Sequence, residues 1–232
     1  MRGCVAGRGA EWCGKSLGQP RSIAVRRYHS PVSTPDFPKR DPAEPAFWDL
    51  RYDAGFAPWE ASGVPAQLSA LVARAGRPRT VLVPGCGAAL DVRFLAESGW
   101  NVLGIDFSHE AVARARAQLG DHVNRVRYGD FFAPIAGEPF EVVYERAFLC
   151  ALPRRLWPAW AARVAQLVEP GGALAGFFFF DAAERGPPFG LAGQAELDEL
   201  LAPAFERVED APVPDSIDVF RGKERWQAWR RR

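Results

Sequence analysis

The sequence predicts an α/β fold: a seven-stranded, mostly parallel sheet with an antiparallel edge strand and helices on both faces. Three observations predict it. From Arg79 onward, apolar runs of strand length alternate with segments whose apolar residues recur at helical spacing. The runs are apolar on both faces, as strands are when helices cover both sides of a sheet. The stretch "VLVPGCGAALD" at 81 to 91 reads as a strand entering a tight glycine turn that opens a helix.

Taken in order, "DPAEPAFWDLRYDAG" at 41 to 55 predicts a short helix, and the run from Pro65 to Ala75 a second. A strand at 80 to 84 leads to a helix at 89 to 98, in which Leu90, Phe94 and Leu95 share a face and Gly99 supplies the stop. "NVLGID" is the second strand and ends in Asp106; Ser108 then caps a helix carrying Val112, Ala115 and Leu119 on one face. "VNRVRYGD" and "FEVVYE" are the third and fourth strands. A helix from Arg154 to Val168 places Leu156, Trp160, Val164 and Leu167 at intervals of four, four and three. "EPGG" turns the chain into a buried strand at 173 to 180. "FERVEDAPV" and "KERWQAW" read as two strands with no helix between them, an antiparallel pair at one edge.

At 232 residues, with 48% hydrophobic and 25% charged residues, the composition is that of an ordinary globular domain. The 29 basic residues nearly cancel the 28 acidic ones, and the net charge of +1 favours a small-molecule partner over nucleic acid or an anionic membrane. Cys4, Cys13, Cys86 and Cys150 are scattered without a C-x-x-C pair, and His29, His109 and His122 do not cluster, which disfavours a disulfide framework and a metal site. No apolar run approaches the roughly 20 residues that cross a bilayer. The first 35 residues contain six Lys or Arg and a single acid, Glu11, without a sustained apolar period. Residues 1–40 therefore read as a disordered arm before a domain at 41–232. The arm's composition overlaps that of organelle transit peptides, but its helical amphipathicity is poor. The expectation is a monomeric cytoplasmic protein.

In an open α/β sheet the ligand lies beyond the carboxyl ends of the strands. After the first strand, Gly85, Cys86 and Gly87 let backbone N–H groups approach a ligand, although glycines are common in such turns for steric reasons alone. Asp106 stands 19 positions beyond Gly87, a separation at which a carboxylate accepts both hydroxyls of a ribose; the competing reading is a helix cap. Asp130 suits an exocyclic amine and Phe131 or Phe132 a purine ring, or they are a turn aspartate and two core phenylalanines. The turn lacks Walker spacing and the third glycine of the dinucleotide fingerprint. Ribose and adenine without a pyrophosphate point to S-adenosylmethionine.

"VLVPGCGAALDVRFLAESGWNVLGIDFSHEAV" resembles the first two motifs of class I S-adenosylmethionine-dependent methyltransferases, in the branch where Pro-x-Cys-Gly replaces the acidic residue and G-x-G. That branch is the thiopurine S-methyltransferase family, with thiol and halide methyltransferase relatives. "FWDLRYDAGFAPWE", "YERAFLCALP", "GPPF" and "GKERWQAW" resemble its amino-terminal, fourth-strand, late-loop and closing-strand segments, so the likeness spans residues 45 to 230. The resemblance implies the Rossmann-like class I methyltransferase fold, the cofactor S-adenosyl-L-methionine, and a small soft acceptor: a thiol or thiopurine sulfur first, then a halide or a selenium or tellurium oxyanion. It implies Gly85, Cys86 and Gly87 against the methionine part of the cofactor, Asp106 with Phe107 at the ribose, and Asp130 with Phe131 at the adenine. Glu145 and Arg146 would form the wall nearest the methyl group, with Trp48 and Trp59 folded over the cofactor. Arg146, whose permanent charge binds anions and favours thiolate over thiol, is the expected substrate-contacting residue; its competing reading is a salt bridge to Glu145 or Asp130. Two departures are Ala57, where many relatives have Thr, and "ERAF", where mammalian relatives have Asp-Arg-Gly. Cys86 and Cys150 read as small buried side chains. A nicotinamide-dependent oxidoreductase and a non-catalytic S-adenosylmethionine-binding protein are the rivals.

Overall fold

The computed structural model describes residues 35–60, 63–183 and 185–232. Most of the span read as an arm, residues 1–34, lies outside them, together with Cys4, Cys13 and His29. The described chain opens with Phe37 packed against Phe56 at 5.7 Å between ring centroids. Helices α1 (Pro45–Asp53) and α2 (Ala66–Arg74) follow. The alternating region then runs β1 (Thr80–Pro84), α3 (Leu90–Glu97), β2 (Asn101–Asp106), α4 (His109–Leu119), β3 (Val126–Tyr128), β4 (Phe140–Arg146), α5 (Trp157–Leu167) and β5 (Val168–Phe179). It closes with α6 (Gln194–Leu201), β6 (Phe205–Pro212) and β7 (Glu224–Arg231).

The seven strands form one sheet in the order β3-β2-β1-β4-β5-β7-β6. The first five are mutually parallel, and β7 is antiparallel to both β5 and β6. The expected antiparallel strand is thus β7, inserted between β5 and β6, one position in from the edge. Strand order reverses between β1 and β4, so the crevice at their carboxyl ends is the place where this architecture takes a ligand.

Each face of the sheet carries its own core. On one, Leu82, Val143, Leu174 and Phe178 pack under Trp160, Val164 and Leu167 of α5 and Leu197 and Leu201 of α6. On the other, Val81, Val83, Val142, Tyr144, Phe177 and Trp226 meet Leu68 of α2, Val92 and Leu95 of α3 and Val112, Ala115 and Leu119 of α4. Burying each large side chain contributes about 1.5–3 kcal/mol, which is why these patterns dictate the layers. A third, smaller cluster of Cys150, Phe179 and Phe220 sits with Trp59, Ile217 and Val219 against it.

Several element bounds differ from expectation. The third strand is short: Gly120–Arg125 is a 3-10 turn, leaving only Val126–Tyr128 paired with β2. The "EPGG" turn lies inside β5 as a bulge, with Phe140 opposite Val168 and Val142 opposite Ala173. Helix α6 is not predicted from the sequence, although Leu197, Leu200 and Leu201 carry helical spacing. Among the described residues no helix is long and apolar enough to cross a membrane.

Candidate functional site

The glycine turn between β1 and α3 is shaped by backbone conformation and by space. Gly85 and Gly87 adopt φ of +57° and +51°, in the left-handed region that favours glycine. A Cβ at Gly85 would lie 2.5 Å from the Phe148 ring, and one at Gly87 would lie 2.7 Å from the Tyr52 hydroxyl. The amide of Cys86 donates to the carbonyl of Ile105 at 3.1 Å, and that of Gly87 to Asp106 Oδ2 at 3.0 Å, docking the turn on the end of β2. Asp106 Oδ1 accepts from the Ser108 amide at 2.9 Å. Burial pushes the Asp106 carboxyl up to about 6, against the pull of these amide hydrogen bonds. Asp106 thus serves as an anchor for the turn, with lone pairs left for a further donor.

Side-chain alternation separates the two acidic-basic neighbours on β4. Tyr144 and Arg146 fall on the α3 face, where the Arg146 guanidinium lies 4.2 Å from the centroid of the Phe177 ring. Arg146 Nη1 is buried with no hydrogen-bond partner among the described residues. Glu145 projects to the α5 face, where its Oε1 accepts from the amides of Phe148 at 2.7 Å and Leu149 at 3.0 Å. Its Oε2 is buried without a partner among the described residues, and burial pushes the carboxyl up to about 7. The salt bridge weighed between Arg146 and Glu145 or Asp130 does not form.

Asp130 is exposed and its Oδ1 accepts from the Phe132 amide at 2.9 Å, the geometry of a turn aspartate. Phe131 is buried and makes edge contacts with Phe132 and Phe148, at 5.2 and 5.0 Å between centroids, while Phe107 is half-buried. Trp48 and Trp59 meet edge to face at 5.4 Å; Trp48 Nε1 donates to the Pro42 carbonyl and Trp59 Nε1 to the Tyr52 hydroxyl. Cys86 is half-buried beside the turn and Cys150 buried, with both thiols pushed up first by burial.

Four polar residues that sequence reasoning missed complete the site. Glu60 pairs with Arg114 at 3.0 Å and keeps a buried Oε1 with no hydrogen-bond partner among the described residues. Tyr52 lies over Gly87. Asp91, in the first turn of α3, has a buried, unpartnered Oδ1, and burial pushes its carboxyl up to about 6 while Arg146 pulls it down. The Tyr144 hydroxyl is likewise buried and unpartnered. The available signal was the spacing of Asp91 from Gly87 and of Glu60 from Trp59 in the motif stretches.

Buried polar atoms without a partner are costly to keep, and among the described residues five of them, on Glu60, Asp91, Tyr144, Glu145 and Arg146, come from segments around the glycine turn. With a carboxylate at the end of β2 and a turn free of Cβ atoms at Gly85 and Gly87, the arrangement fits a nucleoside joined to a zwitterionic amino acid. S-adenosylmethionine is such a molecule.

Comparison with known proteins agrees with this reading. The family model described as thiopurine S-methyltransferase matches residues 43–232. The chain is 29% identical to a probable thiol methyltransferase 2 of Arabidopsis thaliana, over 79% of this chain and 84% of that protein. It is 28% identical to thiocyanate methyltransferase 1 of Brassica oleracea, again over 79% and 84% of the two chains. Among solved structures, the Burkholderia thailandensis 1,6-didemethyltoxoflavin-N1-methyltransferase, with bound 1,6-didemethyltoxoflavin and S-adenosylhomocysteine, superposes with a TM-score of 0.67. That match covers 84% of this chain and 92% of the other at 21% identity, a likeness of fold.

Proposed function

The chain belongs to the thiopurine S-methyltransferase family and is an S-adenosylmethionine-dependent methyltransferase, and on that premise we propose that its acceptor is a small thiol or thiopurine sulfur. The observation that carries the proposal is Arg146: a permanent cation, its Nη1 buried and unpartnered, held over Phe177 at the carboxyl end of β4 beside the glycine turn. Such a group binds a thiolate or another soft anion and favours the ionised over the protonated thiol. The same charge would accept a preformed anion, which makes thiocyanate, a halide or a selenium or tellurium oxyanion the second reading.

When bound, S-adenosylmethionine supplies an electrophilic methyl group on a sulfonium. The chain's own residues bind and orient it. Asp106 would accept the ribose hydroxyls, and Asp130 would accept the adenine amine, with Phe107 and Phe131 beside the ring. The turn at Gly85, Cys86 and Gly87 would lie along the methionine portion, and the unpartnered oxygens of Glu60 and Asp91 suit its ammonium group. Glu145 acts indirectly, fixing Phe148 and Leu149 and so the wall beside the turn. Trp48 and Trp59 would cover the site and exclude water, which matters because water stabilises separated charges more than the transition state in which they shrink. The near-neutral charge supports a small molecule over nucleic acid or membrane as partner. A monomeric, cytoplasmic enzyme remains part of the proposal; light scattering of the purified protein tests the first attribute.

Calorimetry with S-adenosylmethionine and S-adenosylhomocysteine on the wild type and Asp106→Ala is the deciding experiment. Binding that the substitution weakens strongly supports the site, and turnover with thiols against thiocyanate and iodide then ranks the acceptors. Failure of the folded wild type to bind either compound would overturn the assignment.

A further inference from the structure

We propose that Glu224 is the base that takes the proton from a thiol acceptor in this site, an inference that rests on the thiol reading above. Glu224 is the first residue of β7, and the antiparallel course of that strand carries it to the carboxyl ends of β4 and β5, opposite Phe179. It shares the sheet face of Arg146 and Phe177, two residues before Trp226, whose ring packs on Phe177 at 5.1 Å. Phe179 in turn packs with Phe220 and Cys150, the cluster against which Trp59 of the amino-terminal segment rests. A small thiol acceptor lying against Phe177 and Phe179 would have Arg146 and Glu224 on the same face of the sheet.

Glu224 is 7% exposed. The Ser216 hydroxyl, also buried, donates to its Oε2, and no donor among the described residues holds Oε1. A buried carboxylate with one hydrogen-bonding hydroxyl, and with Arg146 as its nearby counter-charge, is costly to keep and is a candidate for function. The groups facing it are Arg146 and Tyr144 from β4, Cys150 after that strand, and Asp215 from the preceding loop. Burial pushes the Glu224 carboxyl up first, Ser216 and Arg146 pull it down, and Asp215 pushes it up again. It is therefore more basic than an exposed carboxylate. The alternatives are poorer bases: Tyr144 and Cys150 are held protonated by burial, Arg146 carries no lone pair to offer, Glu145 faces the other side of the sheet, and Asp91 is the carboxylate assigned above to the cofactor's ammonium group.

In the step proposed, the S–H proton passes to Glu224 Oε1. The electron pair left on sulfur forms the new bond to the methyl carbon as the methyl–sulfonium bond breaks, its pair staying with the departing sulfur. The proton leaves Glu224 for water when the product departs.

The test compares Glu224→Gln with the wild type on an alkanethiol and on thiocyanate, which needs no deprotonation. General-base catalysis contributes about 10²–10⁴-fold. We expect kcat with the thiol to fall by about 10²-fold or more near neutral pH, with a much smaller fall for thiocyanate. The thiol rate of the variant should recover as pH rises towards the thiol's own pKa, and Glu224→Asp should restore part of it. Calorimetry with S-adenosylhomocysteine on the same variant reports whether the fold and cofactor site survive. Equal losses with both acceptors, no loss with the thiol, or a pH profile unchanged in shape would each overturn the proposal. A wild type that binds S-adenosylhomocysteine but methylates neither acceptor would instead overturn the reading of the acceptor class.

Discussion

Gly87 and Gly99 have the same backbone need and different surroundings. Gly99 adopts φ of +81° with nothing within 4 Å of an added Cβ, whereas a Cβ at Gly87 meets the Tyr52 hydroxyl. Alanine at either position in the left-handed region costs about 1–2 kcal/mol. We predict that Gly99→Ala lowers stability by about that amount in urea unfolding and leaves S-adenosylhomocysteine affinity alone. Gly87→Ala should lower both, because the Tyr52 hydroxyl and the turn must separate. The glycines and Asp106 were legible from spacing, since a tight turn and a carboxylate at the next strand end leave a linear trace. Asp91 and Glu60 lie inside the motif stretches but show their roles only once they meet Arg146 and Arg114 in the fold, and Glu224 joins the site only through the pairing of β7 with β5.

At the scale of elements, Ser108 shows a capping residue with two duties. Its Oγ accepts from the Ala111 amide at 3.1 Å, capping α4, and donates to Asp49 Oδ1 of α1 at 2.6 Å. Loss of a cap costs about 0.5–2 kcal/mol. Ser108→Ala should reach the upper part of that range, because Asp49 also loses a hydrogen bond; chemical denaturation checks it. Glu141 plays a comparable part at the opposite end of the sheet. Burial pushes its carboxyl up, but the Thr80 amide and the guanidinium groups of Arg77 and Arg79 outweigh it and hold the carboxyl down at about 2. Its contribution is present above the ordinary carboxylate range and is lost as pH falls towards 2, so Glu141→Gln should unfold more readily near neutral pH and lose that difference in acid. Strand and helix order was legible from apolar periodicity. The bulge in β5 and helix α6 were not, because "EPGG" carries a turn signature wherever it sits, and α6 is short with an apolar face of three leucines.

At the scale of the molecule, the site burdens the fold. Asp91 and Asp106 are pushed up to about 6 and Glu145 to about 7, each first by burial. Each binds its proton more tightly in the folded than in the unfolded chain. Their stabilising effect is complete below the ordinary carboxylate values and is lost as pH rises through about 6 to 7. Thermal melts should therefore show Tm falling over that window, and Glu145→Gln should flatten the fall. Cofactor affinity should run the other way, rising with pH through about 6, because the proposed ribose contact needs Asp106 ionised. Calorimetry across the same range tests it.

By itself the sequence determined the layered α/β order, the glycine turn, the carboxylate at the end of β2 and the arginine at the end of β4. Each of these is written in neighbouring residues, through periodicity, backbone conformational preference and motif spacing. Only the tertiary structure decided which face of the sheet each side chain serves. The single-residue alternation along β4 sends Arg146 towards Asp91 and Glu224 and sends Glu145 to the opposite core. The antiparallel insertion of β7 returns a residue near the end of the chain to a crevice opened by β1. Both outcomes follow from strand pairing, a long-range choice set by which apolar faces bury each other.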